Sequence, residues 1–290
     1  MAWFCAALLV LLGGPCLAAA ATPPSEIQLW QGARLTPVLT PAALASLPVR
    51  LTLQFEVIKG GQVIALTADG ALVDLTARRM LPAKAPLGIT SLTADGGLPI
   101  AVRGRRLGWY DGGTVPEKIQ LPQDGLMVAA GPKQRLYLYG PQGAGSVIYL
   151  LEQGRVAKLL ELSDGRISTL AVIGERLFFA AGNTIYAAAE GQRPAIVFVA
   201  SGHPEIRSIA ADPLAGLVYF AAGDAVYAMR AGMAVSVLRG LEGSLRYAGD
   251  ALYVLDPWRG WLVALRGLER LLEAGADPAG AEVPSGQFKE

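Results

Sequence analysis

Hydrophobic residues between positions 25 and 267 occur in short runs that alternate with turns. The runs consist mainly of Val, Ile, Leu, Tyr and Phe, and they are separated by Gly, Pro and Asp. Runs of about four to eight such residues between turn residues predict β-strands. The stretch 206–229 shows this pattern most clearly, because three strand-like runs are joined there by the sequence DPLAG and by Gly223-Asp224.

Six copies of this arrangement follow one another at intervals of about forty residues. The equivalent residues of the opening strands are Leu53, Ile89, Leu126, Ile167, Ile206 and Leu245. A second and a third strand follow in every copy, and the first five copies also have a fourth. The sixth copy has none after Gly267, whereas the segment 27–39 contains two unassigned strand-like pieces, IQLW and RLTPVL. We predict that this segment supplies the outer strand of the last copy, which removes an exposed edge.

A four-stranded antiparallel unit repeated six times predicts an all-β fold, a six-bladed β-propeller closed by the N-terminal segment. A β-sandwich is the alternative, but it would not explain the regular spacing. Helical patterns occur only near the two ends, at 40–46 and 268–274. We therefore expect the propeller domain over 22–267, followed by a short helix and a flexible C-terminal tail over 268–290.

Residues 1–21 have the layout of a secretory signal peptide. An apolar run over 4–17 is followed by the small-residue sequence AAAA and then by TPP, which is typical of a cleaved leader. The chain is therefore expected to be periplasmic or secreted. An uncleaved membrane anchor is an alternative, because no Lys or Arg precedes the apolar run, and a lipoprotein modified at Cys16 is another. Cleavage would remove Cys5 and Cys16, the two cysteines of the chain, and with them any disulfide.

Composition narrows the possible partners. Hydrophobic residues make up 52% of the 290 residues and charged residues 17%, which favours a folded chain with a large core over a disordered one. The net charge of +1 gives no reason to expect nucleic acid as a partner. After the leader no apolar run reaches the roughly 20 residues of a membrane span, so no integral span is expected once the leader is cleaved.

The chain resembles six-bladed propellers of the NHL, TolB and gluconolactonase-like kind. The resemblance rests on the sequence IRSIAADPLAGLVYFAAGDAVYAM and its looser copies, and it covers roughly residues 27–267. It implies that the opening strand of each blade lines a central channel. It also implies that ligands bind on the face formed by the loops that enter the opening strands and by the turns between second and third strands.

Candidate ligand-binding residues lie at the predicted mouth of this channel. Arg207 and Arg246 fall on neighbouring blades, and Gln54 and Glu56 of the first blade lie beside Arg246. Two converging guanidinium groups could hold a carboxylate or a phosphate, because the planar group binds such anions with two hydrogen bonds. Alternatively, each arginine pairs with a nearby acid and closes the channel. The acids close enough in sequence or in the ring are Glu205, Glu242 and Glu56.

A possible partner surface is predicted from the turns on the same face. Trp258 and Arg259 belong to the sequence DPWRGW, and Arg103 and Arg105 belong to a turn of the second blade. Exposed Trp and Arg are typical of protein–protein hot spots and of sugar-binding surfaces. For Trp261 the favoured interpretation is packing between blades. For Arg103 and Arg105 the favoured interpretation is a solvated turn.

Two functional hypotheses follow. The first is a non-catalytic binding or assembly module for a protein, a peptide or an envelope polysaccharide, with no cofactor and no metal; a protein or peptide is preferred to a small molecule. The second is a divalent-metal-dependent lactonase or related hydrolase, for which the gluconolactonase-like resemblance implies Glu, Asn and Asp ligands. Glu56 and Asn183 could serve, but the arginines of the channel would repel a cation. His203 is the single histidine and is expected to be a loop residue.

Overall fold

Six small antiparallel sheets form a ring in the computed structural model, which describes residues 27–95, 97–203, 205–268 and 271. The fold is a six-bladed β-propeller, as the sequence predicts. The N-terminal elements are β1 (Gln28–Leu29), β2 (Arg34–Leu39) and helix α1 (Pro41–Ala45). The first blade contains β3 (Leu51–Ile58), β4 (Gln62–Thr67), β5 (Leu72–Asp74) and β6 (Arg79–Met80). The second blade contains β7 (Ser91–Asp95), β8 (Leu98–Arg103), β9 (Arg106–Trp109) and β10 (Glu117–Gln120).

The remaining blades follow in chain order. The third contains β11 (Met127–Ala130), β12 (Leu136–Gln142), β13 (Gly145–Glu152) and β14 (Arg155–Leu162), with a turn of 3-10 helix at Pro132–Gln134. The fourth contains β15 (Ile167–Ile173), β16 (Arg176–Ala181), β17 (Thr184–Ala189) and β18 (Ala195–Val199). The fifth contains β19 (Ile206–Asp212), β20 (Leu217–Ala222), β21 (Ala225–Arg230) and β22 (Met233–Arg239). The sixth contains β23 (Ser244–Ala248), β24 (Ala251–Asp256) and β25 (Trp261–Arg266).

The N-terminal segment closes the ring. Strand β2 pairs antiparallel with β25, so that Leu35 lies opposite Leu265, and it becomes the outer strand of the sixth blade as predicted. Strand β1 pairs with β22 and adds a fifth strand to the fifth blade, which the sequence did not predict. The same segment therefore covers the outer edges of two neighbouring blades.

The core lies between the blades and comes from strands that are buried on both faces. All six residues of β20 are buried, and its neighbouring residues Tyr219 and Phe220 are both fully buried. Tyr219 packs with residues of the sixth blade, whereas Phe220 packs with Ala171 and Phe198 of the fourth blade. Because successive side chains of a strand point to opposite faces, one strand joins both neighbours. Burial of one such side chain contributes about 2 kcal/mol.

Side-chain oxygens connect one opening strand to the next. Each of them accepts a hydrogen bond from a backbone N–H of the following blade, at 2.9–3.1 Å. The pairs are Gln54 Oε1 with Leu92 N, Ser91 Oγ with Val128 N, Thr169 Oγ1 with Ile209 N, and Ser208 Oγ with Leu245 N. Between the third and fourth blades, Ser146 Oγ of β13 accepts from Ile167 N at 2.9 Å. These bonds satisfy buried backbone groups that lie between the sheets.

Helix α1 fills the gap between the sixth and first blades and confirms the helix predicted at 40–46. Thr40 caps it, Pro41 occupies its first turn, and Ala43 packs in the cluster that contains Phe55 and Leu255. The predicted leader and nearly all of the helix predicted at 268–274 lie outside the described residues. Within the residues that are described, no helix combines the length and the apolar character needed to cross a membrane.

Candidate functional site

The antiparallel strands divide the turns between two faces of the ring. First–second and third–fourth turns lie on one face, here called the back face, for example at 213–216 and 231–232. The mouth face carries the loops that enter the opening strands and the second–third turns, for example 200–205, 240–243 and 257–260. The residues predicted for the partner surface belong to turns of the mouth face.

A cavity of about 530 Å³ opens on the mouth face. Its lining residues come from four blades and are Leu53, Ser168, Glu205, Arg207, Glu242 and Trp258. Leu53 belongs to the first blade and Ser168 to the fourth, on opposite sides of the ring. The cavity therefore lies over the end of the central channel.

Local irregularities of two strands direct side chains into this cavity. In β19, Ile206 lies opposite Ala222 and Ser208 opposite Ala221, so Arg207 is the extra residue of a β-bulge. The same shift occurs at Ser168 in β15 of the neighbouring blade. A bulge turns the extra side chain out of the regular alternation. Ser168 and Arg207 consequently line the cavity although the residues beside them are buried.

Arg207 is held by two carboxylates and an aromatic ring. Its Nε lies 3.5 Å from Glu205 Oε1, and its Nη1 contacts Glu242 Oε1. Its guanidinium carbon lies 5.8 Å from the centre of the Trp258 ring. The pairing of this arginine with nearby acids, the alternative to a free anion clamp, is thus what the structure shows. Two carboxylates and one guanidinium group line the cavity, so its lining carries a net negative charge.

Asp256 shapes the turn that carries Trp258. The carboxylate is completely buried; Oδ1 accepts from Trp258 N at 3.1 Å and Arg259 N at 2.9 Å, and Oδ2 accepts from Glu242 N at 3.0 Å. Burial raises the pKa of Asp256 against the effect of these bonds. Gly260 closes the turn with a φ of 75°, and a Cβ there would lie 2.9 Å from Pro41 Cα. One side chain thereby fixes both Trp258 and the backbone of Glu242.

The two tryptophans of this turn region have different surroundings. Trp258 is 63% exposed, as a partner surface requires, whereas Trp261 is 4% exposed and packs in the core between the fifth and sixth blades. The favoured interpretation of Trp261 is therefore confirmed. The guanidinium group of Arg259 is bound to the protein, because its Nη1 donates a hydrogen bond to the carbonyl oxygen of Gly240 in the loop that enters β23.

An ion pair lies farther along the channel wall, between the sixth and first blades. Arg246 Nε is 2.6 Å from Glu56 Oε1, and the Glu56 side chain is only 12% exposed. Burial raises the pKa of Glu56, and the attraction of Arg246 opposes this effect without overcoming it. Arg246 also lies 5.7 Å from the centre of the Phe55 ring. Tyr139 interacts electrostatically with both members of this pair, and burial raises the pKa of its hydroxyl group to about 12.

The two arginines of the predicted site do not occupy equivalent positions. Ile209 of β19 pairs with β20, and Leu245 of β23 pairs with β24, in each case with the residue two before the last of that strand. Ile209 and Leu245 are therefore equivalent positions of their blades. Arg246 therefore corresponds to Ala210, and Arg207, the bulge residue, has no counterpart in β23. The alignment that matched the two arginines is wrong in register. Arg207 lines the cavity, whereas Arg246 is not among the lining residues.

Gln54 and Arg105, two other predicted site residues, are engaged within the fold. Gln54 bridges to the second blade, where its Nε2 donates to Thr90 O at 3.2 Å. Arg105 donates to Pro122 O at 2.8 Å and so holds the loop that enters β11. Arg103 is exposed on the same turn. This turn belongs to the second blade, and the first blade separates it from Trp258.

The residues proposed as metal ligands have other contacts in the described part of the chain. No group of three or more His, Cys, Asp or Glu side chains there could hold a metal ion. Glu56 is paired with Arg246, and Asn183 Oδ1 lies 3.3 Å from Thr184 Oγ1 in a turn of the fourth blade. His203 lies in the loop that enters β19, where Nε2 is 3.2 Å from the Tyr227 hydroxyl.

Sequence reasoning missed part of the mouth. Leu53 and Ser168 were not among the predicted site residues, and Asp256 was not assigned its positioning role. A signal for Asp256 exists, because the sequence D-P-x-x-G occurs twice, at 212–216 and 256–260. In both copies the aspartate accepts hydrogen bonds from the backbone of the turn.

Comparisons with known proteins support the fold. No protein-family model matches the chain, and no curated protein sequence is significantly similar to it. A solved luciferin-regenerating enzyme is 13% identical with a TM-score of 0.58, over 80% of this chain and 96% of that one. The computationally designed Ika8 protein is 13% identical with a TM-score of 0.47, over 71% of this chain and 81% of that one. At 13% identity, the likeness to the luciferin-regenerating enzyme concerns the fold alone.

Proposed function

We propose that this chain is an exported, non-catalytic binding module that holds a protein or peptide partner at the mouth face of the propeller. An envelope polysaccharide is the other partner class that the exposed Trp258 suits. The leader sequence at 1–21 supports export to the periplasm or the exterior. The repeated blade sequence supports a relationship to propellers of the NHL, TolB and gluconolactonase-like kind.

This proposal rests on the observation that an exposed tryptophan lines a cavity. Trp258 is 63% exposed and lines the mouth cavity together with Arg207, Glu205 and Glu242. Trp and Arg are enriched among the residues that contribute most of the binding energy of protein–protein interfaces. The backbone beneath is fixed by the buried Asp256, so the tryptophan is presented in a defined orientation.

The test is affinity capture from envelope extracts of the source organism, with the full chain as bait. Trp258→Ala is compared with wild type and with Leu214→Ala, a matched loss of exposed apolar surface, since Leu214 is 92% exposed on the back face. We expect the same partner with wild type and Leu214→Ala and its loss with Trp258→Ala. Equal recovery with all three baits, or no recovery, contradicts the proposal.

Arg207→Ala and Arg246→Ala separate the mouth from the channel wall. Because Arg207 lines the cavity and Arg246 does not, Arg207→Ala should weaken capture more than Arg246→Ala. The hydrolase hypothesis is tested in parallel by adding Ca²⁺, Mn²⁺ or Zn²⁺ to the purified protein. A rise of several degrees in melting temperature with one ion would favour the hydrolase, because a bound ion stabilises the folded state by mass action.

A further inference from the structure

We propose that the mouth cavity binds a cationic side chain, lysine or arginine, of the partner peptide; this inference rests on the proposed binding function. It reverses the charge of the ligand that two arginines at the mouth suggest from sequence. Three features of the cavity support it: its charge balance, the exposed indole ring of Trp258, and the apolar wall formed by Leu53.

The charge balance follows from the contacts of Arg207. Its guanidinium group is engaged by Glu205 and Glu242, so its positive charge is already compensated. The second arginine is compensated by Glu56 farther along the channel wall. The Glu205 side chain remains 57% exposed, so carboxylate oxygens stay accessible at the rim. An entering anion would meet uncompensated negative charge, whereas a cation would be attracted by it.

Trp258 supplies a surface suited to the same ligand. The face of an indole ring attracts cations, and the ring is already close to one, the Arg207 guanidinium at 5.8 Å. With 63% of the residue exposed, most of the indole remains available to a second cation. An ammonium or guanidinium group placed between Trp258 and Glu205 would gain both interactions.

The shape of the cavity favours a long side chain over a free inorganic ion. The volume of about 530 Å³ falls within the range of about 300–1,000 Å³ that is typical of ligand pockets. Leu53 forms an apolar part of the wall, against which the methylene groups of lysine or arginine can pack while the charged end meets the carboxylates. Because Glu205 and Trp258 are exposed, the peptide backbone can remain outside the cavity.

The test uses the full chain with ¹⁵N-labelled tryptophan and four blocked peptides, acetyl-Gly-X-Gly-amide. X is lysine, Nε-acetyllysine, norleucine or glutamate, and the signal is the indole resonance of Trp258, identified by its absence in Trp258→Phe. We expect the lysine peptide to shift this resonance saturably. The Nε-acetyllysine and norleucine peptides should bind about tenfold more weakly, because they lack the charge.

Variants of the carboxylates sharpen the test. Glu242→Gln and Glu205→Gln should each weaken the lysine peptide about fivefold, because each removes one negative charge from the mouth. Glu190 is an exposed glutamate on the back face, so Glu190→Gln should leave the affinity for the lysine peptide unchanged. Equal binding of lysine and Nε-acetyllysine peptides, tighter binding of the glutamate peptide, or no saturable shift would each overturn the inference.

The two proposals fail separately. If Trp258→Ala abolishes partner capture while the lysine peptide shows no preference over its neutral analogues, the binding function stands and the cationic ligand is overturned. If the lysine peptide binds as expected but no captured partner depends on Trp258, the cavity chemistry is supported and the proposed partner binding is contradicted.

Discussion

Arg207 reaches the mouth because its strand contains one extra residue. Regular alternation would place neighbouring side chains of β19 on opposite faces, and the bulge frees Arg207 from that alternation. The sequence indicated the residue type and the blade, but not the bulge, because nothing in IRSIAA distinguishes a bulged strand from a regular one. The acids that pair with Arg207 could therefore be named from the sequence. Whether Arg207 and Arg246 occupy equivalent positions could not be checked, because the answer depends on the bulge.

Glu56 gives a pH-dependent prediction. Its pKa is raised by burial above the ordinary value of 4.5, so the folded protein takes up this proton more readily than the unfolded chain. The resulting stability is fully present below about pH 4.5 and is lost as the pH rises through the folded-state pKa. We therefore expect wild type to lose stability relative to Glu56→Gln as the pH rises above about 4.5.

Urea unfolding at several pH values measures this difference. Asp256, whose pKa burial also raises, is present in both proteins, so its contribution cancels. Glu190→Gln serves as the control, because that glutamate is exposed. A difference between wild type and Glu56→Gln that stays constant would mean that the attraction of Arg246 balances burial, and one that grows in favour of wild type as the pH rises would mean that it outweighs burial; either result contradicts the prediction.

Asp256→Ala should destabilise the protein and disorder the turn that carries Trp258, which changes the accessibility of that side chain. The substitution leaves the backbone N–H groups of Trp258, Arg259 and Glu242 without their acceptor, which costs about 1–3 kcal/mol. The measurements are urea unfolding and acrylamide quenching of Trp258 fluorescence, with Trp258→Phe as the reference for assignment.

Asp212→Ala is the matched control for this prediction. Asp212 is buried and accepts from Leu214 N at 2.9 Å and Ala215 N at 3.0 Å in the same type of turn on the back face. It should lower the free energy of unfolding comparably and leave the quenching of Trp258 unchanged. If both variants alter the quenching alike, Asp256 acts through general stability rather than through the turn.

At the scale of elements, side-chain hydrogen bonds between successive opening strands fix how neighbouring blades align. Ser208→Ala removes the acceptor of the buried Leu245 N–H, and we expect a loss of about 1–3 kcal/mol in the free energy of unfolding. Ser163→Ala, at an exposed serine, should change it by less than about 0.5 kcal/mol. A Ser208→Ala protein as stable as Ser163→Ala would show that water replaces the lost acceptor.

The elements themselves were largely predictable. Turn residues and apolar runs mark the strands of all six blades, and the missing fourth strand after Gly267 pointed to the segment 27–39, which contains IQLW and RLTPVL, as its replacement. Helix α1 was also predictable, because Thr40 and Pro41 form a recognisable start. The sequence IQLW indicated a strand at β1, but not its place in the fifth blade, because Gln28 and Leu29 carry no signal of the strand with which they pair.

At the scale of the whole molecule, stability depends on the closure made by residues 28–39. A chain that starts at Pro41 loses both β1 and β2, and with them the buried Leu39 and the cover of β25. We expect this chain to aggregate and to lose cooperative unfolding, because an uncovered edge pairs with other molecules. A chain that starts at Trp30 loses β1 alone and should stay monomeric and cooperative, because the fifth blade then keeps four strands like the other blades.

Size-exclusion chromatography and urea unfolding of the two shortened chains measure the difference. A chain starting at Pro41 that remains monomeric, with the unfolding midpoint of the full chain, would show that the sixth blade is stable with three strands. The comparison also bears on the mouth, because Pro41 packs against the turn that carries Trp258.

The pairing of β2 with β25 also sets an order of events in time. The ribosome makes β2 before any blade, yet its partner strand is made after all the others. Contacts between residues so distant in sequence form late, because the intervening chain must first be ordered. The ring of blades in a nascent chain therefore stays open until β25 has been made, because only then can β2 find its partner strand.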